Sequence, residues 1–205
     1  MVFWYLLEAL KNPTLCAQMM AEVSASSSNQ GAINVKDLAT QPLLQSVYAE
    51  VLRLRVSILI SRIVEYQDIT FEGYTLPRGE YILMPTDAMH FNDDAWNQAG
   101  WGSKVPLSQF DATRFLVSSK DGLEFDQEGL AGLWIPFGGG DRMCPGRHLA
   151  KQEMLISFAY LFSKYDIELG STDVDQVSCD RRYAAFGALP PNRQVPFRIR
   201  KKARD

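Results

Sequence analysis

The sequence predicts an α+β fold, mainly helical, with small antiparallel sheets. Three observations carry that reading. Apolar residues recur at helical spacing in Leu44, Val47, Tyr48 and Val51, and again in Leu155, Phe158, Ala159 and Phe162. Short extended runs separated by turn residues lie between those stretches and at the end of the chain. No internal repeat, linker or shift of composition divides the 205 residues, so they read as one piece. With 46% hydrophobic residues the chain can build a real core, since a globular protein of this size buries about 70% of the surface its unfolded form exposes. An aromatic share of 11% and 10 prolines exclude a simple coiled coil and argue against wholesale disorder.

In chain order, Val2 to about Glu22 reads as helix with a break or re-entry at Asn12-Pro13, where proline suits a first helical turn. Ser24 to Gly31 is a polar loop, too short for a domain linker. A second helix starts at Gln41-Pro42. From Arg62 to Met84 the pattern changes to extended runs, with turns at Phe71-Glu72-Gly73-Tyr74 and Pro77-Arg78-Gly79, and alternation around Tyr81 and Leu83. Pro85 to Pro136 reads as a long irregular stretch, a length of low periodicity that compact domains carry mainly for function. A strong helix follows Cys144-Pro145-Gly146, and Val195, Phe197 and Ile199 alternate with Arg198 and Arg200 as a half-buried strand.

The net charge of −3 gives no basic footprint for nucleic acid. Only the run from Arg198 to Arg204 is strongly basic, and a solvated tail is its simplest reading. Cys16, Cys144 and Cys179 form no CxxC pair and no even disulfide framework, which points to a reducing compartment. With only His90 and His148 beside them, a zinc site of the usual ligand count is not expected. The apolar start Val2-Phe3-Trp4-Tyr5-Leu6-Leu7 is interrupted by Glu8, too short to span a bilayer and without the basic flank of a signal peptide.

The most informative segment is Phe137-Gly138-Gly139-Gly140-Asp141-Arg142-Met143-Cys144-Pro145-Gly146-Arg147. Consecutive glycines let backbone pass close to something flat or bulky. Cys144 stands before a helix whose first turn takes Pro145, so free N–H groups and the positive helix end favour a thiolate there. Arg142 adds a fixed positive charge. That environment suits an anionic sulfur, as nucleophile or metal ligand; a buried, inert cysteine in a glycine turn is the plain alternative. No GxxxxGK[ST] is present and Asp141 would repel phosphate, so the glycines do not read as a phosphate loop. His148 lies one helical turn beyond Cys144, an awkward place for the base a cysteine nucleophile needs.

Phe137, Gly140, Arg142, Cys144 and Gly146 match FxxGxRxCxG, and the chain thereby resembles the cytochrome P-450 superfamily, the haem-thiolate monooxygenases. The resemblance implies iron protoporphyrin IX as cofactor, with Cys144 its axial thiolate ligand. It implies that Arg142 pairs with a haem propionate, that Phe137 packs beside the thiolate, and that Gly138 and Gly146 let the loop lie against the porphyrin. Glu50-Val51-Leu52-Arg53 taken alone is a salt bridge worth about 0.2–0.5 kcal/mol on an exposed helix. At its place upstream of the cysteine loop it resembles the family's ExxR helix, and Arg114 in Phe110-Asp111-Ala112-Thr113-Arg114-Phe115 would complete a buried Glu50–Arg53–Arg114 triad, although the family's usual Pro-Glu is replaced. Arg62, read as the start of the first extended segment after that helix, is the expected second propionate contact; a surface arginine is the alternative. His90 in Ala88-Met89-His90-Phe91-Asn92-Asp93 resembles the family's His-Arg-Asp-Pro segment, with Phe91 in place of arginine, and is expected to be structural. Arg147 and Lys151 would face an NAD(P)H-dependent reductase, or form an ordinary solvated face.

The resemblance covers nearly the whole chain but only the C-terminal part of the family, so residues 1–205 are expected to be a single partial domain. The opening resembles the stretch just after the family's long central helix, which carries the acid–alcohol pair over the distal haem face. Without that helix the chain would expose apolar surface and be a poor catalyst. A gene model lacking upstream exons, a truncated remnant and one half of a split enzyme all fit. The loop looks like that of eukaryotic, often fungal, members that insert oxygen into small apolar substrates such as sterols or secondary metabolites. Such members sit on the endoplasmic reticulum membrane through an N-terminal anchor, which this sequence does not contain. A haem-thiolate isomerase or dehydratase and an inactive haem-binding remnant are the other readings.

Overall fold

The computed structural model describes residues 1–28, 32–120, 122–170 and 173–203. Asn29, Gln30 and Gly31 of the polar loop and Arg204 of the basic end lie outside the described residues.

Four helices build the main core. Helix α1 (Val2–Lys11) ends at Asn12, whose side chain accepts a hydrogen bond from the Leu15 N–H and so caps α2 (Pro13–Ala25), with Pro13 in the first turn. A short turn of helix α3 (Val35–Leu38) leads to α4 (Pro42–Arg55). Gln41 offers α4 no side-chain cap. Instead the Glu22 carboxylate of α2 reaches across and accepts from the Leu43 and Leu44 N–H groups, both at 2.9 Å. That satisfies two of the orphan donors of the first turn and places negative charge at the positive end of α4. Tyr5, Met19, Leu44, Val47, Val51, Leu155 and Phe158 close the core between these helices and the long C-terminal helix.

Strand β1 (Val56–Ile63) follows α4 without a loop. The extended region therefore begins at Val56, and Arg62 lies near the end of β1 rather than at its start. Val56, Ile58 and Ile60 are β-branched and favour extension, but so short an apolar run leaves helix and strand unresolved by periodicity. The hairpin of β2 (Ile69–Phe71) and β3 (Tyr74–Leu76) turns at Glu72 and Gly73, with φ of 50° and 80°, the paired positive values of a tight hairpin turn. Strand β4 (Tyr81–Pro85) pairs antiparallel with β1, from Leu59 opposite Pro85 to Ile63 opposite Tyr81.

The stretch from Pro85 to Pro136 is more ordered than its sequence suggests. It holds α5 (Thr86–His90), α6 (Asp93–Gln98) and the hairpin of β5 (Leu116–Ser119) with β6 (Gly122–Phe125). These elements are too short to show a period, and tertiary burial sustains them. Trp96, Leu107, Phe115 and Leu130 form a second small core against Ala49 of α4.

Helix α7 (Arg147–Lys164) follows Cys144-Pro145-Gly146 as expected, but Gly146 is its cap and Pro145 stands outside it rather than in its first turn. Its expected face, Leu155, Phe158, Ala159 and Phe162, is buried. It runs into β7 (Tyr165–Leu169), which pairs antiparallel with β9 (Phe197–Lys201). Strand β8 (Phe186–Ala188) pairs with β1. Two expectations change here. The last strand is exposed along its length rather than half-buried. The basic end is a strand rather than a tail, with Arg198 opposite Glu168 and Arg200 opposite Asp166. Among the described residues no helix is long and apolar enough to cross a membrane.

Candidate functional site

Glu50 of α4 organises the ground beneath the cysteine loop. It is fully buried, and the Arg53 guanidinium donates to both of its oxygens at 2.8 Å. Arg114, the third expected member, donates from Nε to Glu50 Oε1 at 3.0 Å, and the Asp111 N–H donates to the same oxygen at 3.1 Å. The group carries one more positive than negative charge, and carbonyl oxygens complete it. His90 O accepts from Arg53, while Val105, Pro106 and Gln109 accept from Arg114. The rings of Phe91 and Trp96 cover the Arg53 guanidinium at 5.4 and 5.6 Å. The few tenths of a kcal/mol of an exposed pair do not describe this buried cluster, where removing one partner strands the others away from water.

From the cluster a chain of contacts leads to the loop. His90 is fully buried; besides the bond to its carbonyl, its Nε2 accepts from the Ile135 N–H at 3.2 Å. Burial first, then the Arg53 charge, lowers the imidazole to about 4, so it is neutral at pH 7. Accepting at Nε2 requires the proton on Nδ1. The backbone then turns tightly: Gly138 N–H bonds Ile135 O at 3.1 Å and Cys144 N–H bonds Phe137 O at 2.9 Å. Gly138 and Gly140 have φ of 75° and 64°, the left-handed region that side chains disfavour. A Cβ placed on Gly138, Gly139 or Gly140 would meet nothing within 4 Å. The glycine surface therefore faces open space, which leaves room for a bulky flat group.

Cys144 is exposed and lines a cavity of 390 Å³ whose wall includes Leu52, Val56, Ile58, Phe137, Ala150 and Met154. Phe137 packs against the main core and so anchors the loop's first turn. Gly146 lies beside the sulfur, since a Cβ there would stand 3.8 Å from Sγ. Arg147 donates to the Cys144 carbonyl from its side chain at 3.1 Å and from its backbone at 3.4 Å. Tyr48 of α4 is buried; desolvation first, and the Cys144 charge second, hold its phenol proton well above the usual range. Arg62 reaches the loop from β1, donating to the Gly139 carbonyl at 2.9 Å, and lines a second cavity of 500 Å³ with Ile60, Met89 and Ile135. Arg142 is exposed in the 3-10 turn Gly140–Arg142.

The fold thus gathers Phe137, Gly138, Gly146, Arg62 and Cys144 around one loop, with Glu50, Arg53 and Arg114 behind it. Lys151 differs from its neighbours. It is half-buried, its ammonium bonds Gln45 Oε1 at 2.5 Å, and the Tyr48 and Phe125 rings lie about 6 Å away, at 6.0 and 5.9 Å. Sequence reasoning missed two further contacts. One is the Glu8–Arg55 ion pair at 2.7 Å, with Arg55 4.2 Å from the Trp4 ring, which joins α1 to α4. The other is Ser46, whose hydroxyl donates to Ala112 O and accepts from the Phe115 N–H. Ser46, Glu50 and Arg53 share one face of α4 at i, i+4 and i+7, a polar stripe that the sequence does display.

The cytochrome P450 family model matches residues 1–197 of the chain. Cytochrome P450 monooxygenase fsoE of Humicola fuscoatra is 34% identical over 97% of the chain and 39% of its own length. Cytochrome P450 monooxygenase efuG of Hormonema carpetanum is 33% identical, over 97% of the chain and 40% of its own length. A plant relative, (+)-menthofuran synthase of Mentha piperita, is 31% identical over 83% of the chain and 32% of its own length. The chain spans about two fifths of the length of the fungal relatives. A match over almost every residue makes the chain a member of the cytochrome P450 family.

Proposed function

We propose that the chain is the haem-anchoring, C-terminal part of a cytochrome P450 monooxygenase, a single partial domain over residues 1–205. The observation that supports this reading is an exposed Cys144 at a largely apolar cavity, in a loop whose glycines Gly138, Gly139 and Gly140 face open space. A porphyrin needs such a flat, unobstructed approach, and its iron needs a thiolate at the wall, so the residues present fit the group.

Cys144 is the axial ligand in this reading. Its carbonyl is held by Arg147 and its N–H by Phe137 O, which fixes the sulfur's direction before any metal arrives. Arg62, tied to the loop through Gly139, and the exposed Arg142 are placed to take the propionates. Phe137, Leu52, Val56 and Met154 keep water from the sulfur side. A bound thiolate-ligated haem supplies the activation of O2 and the transfer of one oxygen atom to a substrate. The Glu50–Arg53–Arg114 cluster and His90 hold the loop in place and take no part in the chemistry.

The substrate class is a small apolar molecule of the sterol or secondary-metabolite type. The support is the fungal relatives and the terpenoid names among the plant ones, including geraniol 8-hydroxylase of Swertia mussotii. Electrons come from an NAD(P)H-dependent reductase docking at the cysteine-loop end of α7. Arg147 and Lys151 are its candidate contacts, although Lys151 already engages Gln45. The endoplasmic reticulum membrane is the proposed location of the whole protein.

The reduced carbon-monoxide difference spectrum of the chain with added haem tests the proposal. A far-red-shifted Soret band that disappears in Cys144→Ser establishes thiolate ligation. An unshifted band, or no haem uptake, overturns it.

A further inference from the structure

Buried aromatic side chains with a polar tip find a hydrogen-bond partner, because a bond left unmade away from water is costly. All four tryptophans conform. Trp4 donates its indole N–H to Leu189 O, Trp96 to Met89 O, Trp101 to Glu128 O and Trp134 to Ala49 O, between 2.7 and 3.0 Å. Tyr5, one of the two buried tyrosines, donates its hydroxyl to Leu44 O at 3.0 Å. Tyr48 is the exception. It is 5% exposed, and among the described residues its hydroxyl has no hydrogen bond.

The surroundings of Tyr48 narrow the choice of acceptor. Leu52, one turn further along α4 on the same face, lines the Cys144 cavity, as do Ala150 and Met154 of α7. Tyr48 therefore stands one turn behind that wall, and the charge of Cys144 reaches its phenol. The Gln45 amide is committed at both ends, accepting from Lys151 at 2.5 Å and donating to Thr40 O at 3.0 Å. The Lys151 ammonium lies 6.0 Å from the Tyr48 ring, where it polarises the phenol and strengthens the O–H as a donor. Burial keeps that hydroxyl protonated at neutral pH, so it has a proton to offer.

We propose that the Tyr48 hydroxyl donates a hydrogen bond to the Cys144 sulfur, directly or through one bridging water, and so sets how much electron density the sulfur gives to a bound iron. Tyr48 is a positioning residue in this role, since it acts through Cys144. A donor on the sulfur draws density from it, which favours ferrous over ferric iron and raises the reduction potential. The role rests on the reading of Cys144 as axial ligand and deepens it. Arg147 and Phe137 hold the carbonyl and the N–H of Cys144, whereas Tyr48 addresses the ligating atom itself.

The test is a potentiometric titration of the haem-loaded chain with dithionite and mediator dyes. No reductase is present, so docking at Lys151 does not enter. Tyr48→Phe keeps the ring and strands no protein acceptor, and circular dichroism checks its fold. It is expected to move the ferric–ferrous equilibrium about tenfold toward ferric, about 59 mV for a one-electron couple. The iron–sulfur stretching band in resonance Raman is expected at higher frequency. Tyr48→3-fluorotyrosine, with a stronger donor hydroxyl, is expected to shift both readouts the opposite way. Tyr5→Phe, which frees Leu44 O in the core, is expected to leave both unchanged. A thiolate Soret band with an unmoved potential in Tyr48→Phe overturns the role of Tyr48 and leaves Cys144 as ligand. Equal shifts in Tyr5→Phe and Tyr48→Phe do the same, since they mark a general loosening of the core. Where Tyr48→Phe fails to take up haem, the fluorotyrosine chain decides, and an unmoved potential there has that consequence too. An unshifted Soret band or no haem uptake in the unsubstituted chain overturns the reading of Cys144 as ligand, and the role of Tyr48 with it.

Discussion

Glu50 has two guanidinium partners and no contact with water. Replacing it by alanine leaves Arg53 and Arg114 buried with surplus positive charge, so Glu50→Ala is expected to destabilise the chain by about 3–5 kcal/mol in urea unfolding. A cost below about 1 kcal/mol would mean that the carbonyl acceptors alone satisfy the arginines. His90 adds a pH dependence whose sign follows from its lowered value of about 4. The unfolded imidazole titrates near 6.5, so between those values the unfolded chain binds the extra proton and stability falls with acid. The contribution is fully present above about pH 7 and is lost as pH falls toward 4. Between pH 7 and pH 5 the loss is about 2 kcal/mol by linkage. A His90→Gln variant is expected to lose less over that interval, and equal slopes in the two proteins would exclude His90 as the source.

Among the elements, α4 joins the core to the site. Its first turn is capped by Glu22 from α2, its middle carries Ser46, Glu50 and Arg53, and its end feeds directly into β1 and Arg62. Burial raises the Glu22 carboxyl while the two N–H donors oppose that rise. Glu22→Ala removes the carboxylate that accepts from those donors and is expected to cost about 1–2 kcal/mol, as other helix caps do. Thermal or urea unfolding measures it, and a fully neutral substitution would show that water serves the α4 terminus equally well. The cysteine loop has a different support. Its ends are tied by Ile135, Phe137 and Arg147, whereas the side of Gly138, Gly139 and Gly140 on which a Cβ would stand faces open space. Open space and local rigidity come from different features of the same loop.

For the molecule as a whole, a ligand that binds only the folded chain stabilises it with the logarithm of its concentration. With haem, the cofactor proposed above, at about 100 times its dissociation constant, the linkage is about 2.7 kcal/mol, a rise of roughly 5–10 °C in Tm for a chain of this size. Differential scanning fluorimetry reads that rise, and Cys144→Ser is expected to reduce it. Much of the organisation was legible from sequence: the break at Asn12-Pro13, the start at Pro42, the hairpin turn at Glu72-Gly73 and the buried face of α7. Helix periodicity and turn chemistry are local, so residues near one another in the chain suffice to reveal them. The order between Pro85 and Pro136 was not legible, because α5, α6 and the β5–β6 hairpin are stabilised by Trp96, Phe115 and other residues from distant segments.

The sequence by itself determined the family, since Phe137, Gly140, Arg142, Cys144 and Gly146 are informative through type and spacing alone. It also marked Glu50, Arg53 and Arg114 as partners, but a spacing of i, i+3 is equally that of a solvated pair. Only the tertiary structure decided that they are buried and that His90 links them to Ile135. It also put Arg62 against Gly139 and carried the basic end into a strand opposite Asp166 and Glu168. The reason is physical. Burial and long-range hydrogen bonding are properties of how segments meet, and no single segment contains them.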